Sequence, residues 1–132
     1  MVKYNPVKVF MIEPIFDENG KVKYTGFING VASPFYRKVG TNEILQGSKF
    51  AGAIIDANIY GRHNAHNVYP DGRSLVVTLP SLEHWYIDGP SSNDGNGWVR
   101  TGSVEDGTLN VTPSILTPKY HGWIKDGFLV EC

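Results

Sequence analysis

The sequence predicts a single mainly β domain over residues 1–132, a compact β-sandwich or barrel-like fold with one or two short helices. Three observations carry that reading. Short runs rich in Val, Ile, Thr and aromatic residues recur about every 8–12 residues, the spacing of sandwich and barrel strands. Eight Asn-Gly or Asp-Gly pairs punctuate the chain, and such pairs supply the positive φ angles of tight hairpin turns. The length of 132 residues is that of one domain, able to bury about two-thirds of its unfolded surface.

Taken in order, Val7–Ile12 is a compact, β-branched strand that Pro14 limits. Asp17-Glu18-Asn19-Gly20 is a hairpin signal, with Val22–Ile28 expected as the return strand. A second turn pair follows at Asn29-Gly30, and Val31–Tyr36 is short and aromatic. Thr41–Gln46 is the helix candidate: Thr41 suits a cap, and Glu43 and Gln46 suit a first turn. Phe50–Ile59 carries Ala51, Ala53, Ile54, Ile55 and Ala57, which suit a small buried helix or a buried strand, so both remain open. Gly61–Asp71 is a polar loop ending in Pro-Asp-Gly. Leu75–Leu79, Trp85–Ile87, Trp98–Thr101 and Thr108–Thr112 read as strands. Trp123-Ile124 and Phe128–Val130 flank Asp126-Gly127 as a final hairpin. Trp85 and Trp123 are expected inside, and Trp98 partly exposed.

Composition excludes several function classes. The formal net charge is −1 and the twelve basic residues are scattered, so the basic stripe of a duplex-DNA binder is missing. No apolar run approaches the ~18 residues of a membrane span. Cys132 is the single cysteine, so no intramolecular disulfide forms. The N-terminus lacks the apolar core of a signal peptide, which leads to an expected cytoplasmic location.

Asp71-Gly72-Arg73-Ser74-Leu75, Trp85-Tyr86-Ile87-Asp88 with Ser92-Asn93, Trp98-Val99-Arg100-Thr101-Gly102, Pro113-Ser114-Ile115 and Tyr120-His121-Gly122-Trp123 follow one another in the C-terminal half. In this order they resemble a group of small bacteriophage and prophage proteins. The resemblance implies a phage origin, the cytoplasm of a bacterial host as location with the virion as an alternative, and no particular chemistry. Relatives carry cysteines around the Ser-Asn loop and before the Ser-Ile segment. This chain has none there, so no thiol or metal role transfers.

The chemistry-bearing residues fall in three places. His63 and His66 share a loop with Arg62; with His121 and Asp88 they could form a three-ligand zinc set, but the spacing matches no strong metal motif. Ser92 or Ser114 with His121 and Asp88 lacks a nucleophile-elbow context. No phosphate-cradling glycine motif occurs. No catalytic residue, metal or cofactor is therefore assigned. The seven polar residues Ser91–Gly97 are long for a plain hairpin loop, and long loops carry binding sites. Trp98 beside Arg100 suits stacking plus a charge contact. The expected site is a pocket of Arg62, His63, His66, Asp88, Ser92, Asn93, Trp98, Arg100, Tyr120 and His121. It would take a small anionic or nucleotide-like molecule, with a homo-oligomer as the expected assembly, and with sequestration of a host immune nucleotide as the role. The alternatives are a minor virion or structural interaction protein, and a His- or metal-dependent nucleotide hydrolase.

Overall fold

The computed structural model describes residues 4–21, 24–28, 31–46, 50–56, 72–88 and 99–132. These residues form two sheets packed face to face, and no helix occurs among them. The first sheet is antiparallel, in the order β1 (Val7–Lys8), β12 (Phe128–Glu131), β11 (His121–Lys125), β10 (Asn110–Leu116), β9 (Val99–Thr101). The second runs β3 (Tyr24–Ile28), β4 (Val31–Lys38), β2 (Phe10–Pro14), β6 (Ala53–Asp56), β7 (Leu75–Thr78), β8 (His84–Tyr86), and β5 (Ile44–Gln46) also pairs with β4.

The expected first strand, Val7–Ile12, is divided between the sheets. β1 pairs with β12 in the first, and β2 pairs with β4 and β6 in the second. The crossing is at Val9. Its N–H donates to the Gly127 carbonyl (2.9 Å), while the N–H of the next residue, Phe10, donates to the Gly52 carbonyl (3.0 Å). Backbone groups buried in a core must be bonded, and here consecutive donors are satisfied by opposite layers. Val9 is 2% exposed and belongs to the main core.

That core lies between the sheets. Val104, Leu109, Val111, Ile115, Ile124 and Leu129 come from the first layer, and Ile54, Leu75, Val77, Leu79 and Ile87 from the second. Ile54 points into it, whereas its neighbours Ala53 and Ile55 join a smaller cluster with Ile12 and Tyr36. The run Phe50–Ile59 is thus resolved in its described part as a strand. β6 is apolar on successive residues because both of its faces are covered.

Two expectations are corrected. Thr41–Gln46 is not a helix. Thr41 Oγ1 donates to the Lys38 carbonyl (2.8 Å) and accepts the Glu43 N–H (3.1 Å), and Lys38 N–H donates to the Glu43 carbonyl (3.0 Å). The capping side chain closes a turn between β4 and β5, because residues 44–46 find strand partners at Phe35–Arg37. Nor does Asp17–Gly20 return β2 onto β3. Asp17 Oδ1 accepts the N–H groups of Asn19 and Lys21, and the turn closes on itself. β3 instead pairs with β4, Ile28 opposite Val31, across residues 29–30, which lie outside the described residues. β2 lies on the other flank of β4.

The final hairpin is as expected. Asp126 (φ 48°) and Gly127 (φ 81°) take the two left-handed positions of a type I′ turn, and β11 and β12 pair residue for residue from Gly122↔Glu131 to Lys125↔Phe128.

Candidate functional site

The alternation of β11 separates the two characters of the Tyr-His-Gly-Trp run. Tyr120, Gly122 and Ile124 are buried, whereas His121 and Lys125 are exposed and Trp123 is half-buried. Residues two apart on a strand share a face, so Tyr120 and Gly122 are neighbours on the inner side. A Cβ on Gly122 would lie 2.3 Å from the Val130 carbonyl and 2.9 Å from the Tyr120 hydroxyl. Glycine is needed because the tyrosine and the adjacent strand occupy its side-chain space. The Tyr120 ring also meets Tyr4 at 6.0 Å between centroids. Its hydroxyl has no bonding partner, and desolvation, then the charge of Glu131, pushes the phenol up to about 12. Tyr120 is a core residue.

Asp88 and Arg100 come together, as a buried ion pair. Arg100 Nε donates to Asp88 Oδ1 at 2.9 Å, with side chains 6% and 2% exposed respectively. Asp88 Oδ2 accepts the Leu75 N–H at 2.8 Å. The pair ties the end of β8 in one sheet to β9 in the other, on either side of residues 89–98. A second tie joins the layers at the opposite end of β8: Thr117 Oγ1 donates to Glu83 Oε1 (2.5 Å), as does Ser81 Oγ (2.7 Å). These bonds, Thr117's first, hold the Glu83 carboxyl below the usual glutamate range.

His121 lies on the outer side, its ring 6.3 Å from that of Trp123 and tilted by 34°. Lys125 Nζ stands 4.6 Å above the same indole. Trp123 is therefore an outward-facing residue, not the interior one expected; Trp85 is half-buried and packs on the main core. Arg62, His63, His66, Ser92, Asn93 and Trp98 lie outside the described residues. Among the described residues no cluster of three His, Cys, Asp or Glu is placed to hold a metal, and no helix is long and apolar enough to cross a membrane.

A concavity lies elsewhere, a groove of about 530 Å³ where the chain crosses between the sheets. Its walls are Val7–Met11, Lys38-Val39, Ala51 and the turn Val104–Gly107. A narrower arm of about 150 Å³ shares Met11, Val39 and Glu105 and continues to Glu13, Asp56 and Arg73. The main groove is within the size range of small-molecule pockets, roughly 300–1,000 Å³. Its apolar surface comes from Phe10, Met11, Val39 and Ala51. Lys38 Nζ lies 4.7 Å above the Phe10 ring, and Lys8 also lines the groove. The acidic side is Glu105 and Asp106. Arg73 grips Glu105 through two bonds of 2.7 and 3.2 Å, and the turn is braced by Asp106 N–H to Ser103 Oγ (3.1 Å) and Ser103 N–H to Thr108 Oγ1 (3.1 Å). The groove collects residues from four separated segments, none carrying a motif, so nothing in the sequence marks it. Comparison with known proteins returns no match among family models, curated proteins or solved structures.

Proposed function

We propose that this chain is a small-molecule binding protein, and that its ligand is a nucleotide-like anion with a flat or apolar portion, held in the groove at the sheet crossing. The observation that carries this reading is the pairing of apolar lining with two lysines, Lys8 and Lys38, neither joined to a carboxylate among the described residues. A ligand phosphate would meet the ammonium groups. A base or other planar group would lie against Met11 and Val39, and Asp106 or Glu105 would accept from ligand hydroxyls. Binding is the reading taken here, and the described lining holds no histidine, cysteine or serine. In the phage setting that the sequence resemblance implies, such a protein would sequester a host nucleotide signal.

A thermal-shift screen with mono-, di- and cyclic nucleotides and ADP-ribose tests this. A ligand present at a hundred times its Kd adds about 2.7 kcal/mol of stability, which raises the melting temperature by several degrees. A hit should be lost or weakened about tenfold by Lys38→Ala, the usual loss for a charged hydrogen bond. A flat response across the panel would overturn the proposal.

A further inference from the structure

The outward side of the five-stranded sheet is a second surface, which meets the edge of the groove at Lys8. Its strand positions alternate with the buried ones: Lys8 on β1, Phe128 and Val130 on β12, His121, Trp123 and Lys125 on β11, Thr112 and Leu116 on β10, Val99 and Thr101 on β9. Leu116 and Val99 are the two most exposed large apolar residues described, at 71% and 58%. Register fixes the layout. Lys8, Phe128 and Lys125 are successive partners across three strands. Trp123 is opposite Val130, hence diagonal to Phe128, about 7–8 Å away.

We propose that this face docks single-stranded nucleic acid, with Trp123 and Phe128 stacking unpaired bases and Lys8 and Lys125 meeting phosphates. Charge selects the occupant. None of the outward strand positions named is Asp or Glu; the nearest acid on β11's end, Asp126, is in the turn beyond the face. A second copy of the chain brought against this surface would oppose lysines to lysines with no carboxylate on the face to pair them, which is repulsive. An anionic partner is complementary. The aromatic pair narrows the class further: Phe128 is exposed, Trp123 is half-buried with Lys125 over one face of its ring, and rings beside cations are how single strands are held without reading sequence. The diagonal spacing is about twice the ~3.4 Å rise of stacked bases, so it suits an extended strand and not a duplex.

Fluorescence anisotropy with a labelled oligothymidine of about 12 nucleotides, within the usual site size, and with a duplex of equal length tests this on the intact chain. Saturable binding to the single strand at low salt, weakening as salt rises and weaker still for the duplex, is the expected result. Trp123→Ala should weaken it about tenfold at unchanged melting temperature, Lys125→Glu should weaken it and flatten the salt dependence, and Lys38→Ala in the groove should leave it unchanged. Absence of binding at low salt overturns the proposal, as does binding indifferent to Trp123→Ala. Two further outcomes overturn it in favour of other occupants: polyglutamate bound as tightly as oligothymidine, or no nucleic-acid binding together with a dimer that Leu116→Ser dissociates.

Discussion

Arg100 and Lys38 are both basic residues on strands, and they have opposite fates. Arg100 is turned inward, closed by Asp88, and holds the two sheets together where residues 89–98 leave and return. Lys38 is at the end of β4 with its ammonium over Phe10 and open to the groove. The same contrast runs along β11, where Tyr120 fills the core over Gly122 while His121 and Lys125 flank Trp123 outside. A polar or aromatic residue in a suggestive run is evidence of a site only once its partners are known. Here the inward set is scaffold, and the proposed recognition rests on the outward set.

Disrupting the scaffold should have the largest effect. Asp88→Ala removes the carboxylate bonded to a buried guanidinium and should cost about 3–5 kcal/mol in a urea melt. The double change Asp88→Leu with Arg100→Met should recover much of that loss, since well-packed apolar replacements of buried pairs are often neutral. A cost under about 1 kcal/mol for Asp88→Ala would break the comparison, because Arg100 would then not depend on it. Gly122→Ala should follow at about 1–3 kcal/mol from overpacking against Val130 and Tyr120, with the hairpin amides of β11 and β12 losing exchange protection first.

Tyr120→Phe sharpens the comparison in the other direction. It removes a buried hydroxyl that has no partner, so it should be neutral or stabilising. The phenol titrates at about 12 in the folded chain and near 10 when unfolded. Its contribution to stability is therefore complete below pH 10 and is lost as pH rises from 10 towards 12; Tyr120→Phe should lack that alkaline decline. Glu83 has the opposite sign. Its lowered folded pKa gives stability that is present above the ordinary glutamate range and lost as pH falls through and below it, and Thr117→Val should reduce that acid dependence. The smallest effects on stability belong to the open residues: Lys38→Ala and Lys125→Glu should change it by less than about 0.5 kcal/mol.

The first sheet was the more legible part of the fold, for a physical reason. β9 to β12 are joined by local turns, and the Asp126-Gly127 pair, the alternation of Phe128–Val130 and the β-branched run at Val111 all act over a few residues. The second sheet depends on distant partners. β2 meets β4 and, in parallel, β6, and nothing near Val9 announces that the chain changes layers there. Thr41 carried a helix-cap chemistry that serves a β-turn equally well, and strand pairing at Phe35–Arg37 decided between them. Asp88 and Arg100, expected in a binding pocket, are instead bonded to each other in the interior, which the sequence did not show because one side chain's partner is a matter of three-dimensional packing. Lys8, Phe10, Lys38 and Asp106 carry no local pattern at all. Phe128 and Val130, on either side of Leu129 in the expected strand Phe128–Val130, are the outward residues whose placement alternation could have supplied.

The most direct test is calorimetric titration of the intact protein with the nucleotide giving the largest thermal shift, comparing wild type with Lys38→Ala and with Arg37→Ala. Arg37 precedes Lys38 on β4 and so points to the other side, removing the same charge away from the groove. The account predicts saturable binding that Lys38→Ala weakens about tenfold and Arg37→Ala leaves intact. Equal losses in both variants, no loss in Lys38→Ala, or no heat of binding with any nucleotide would contradict it.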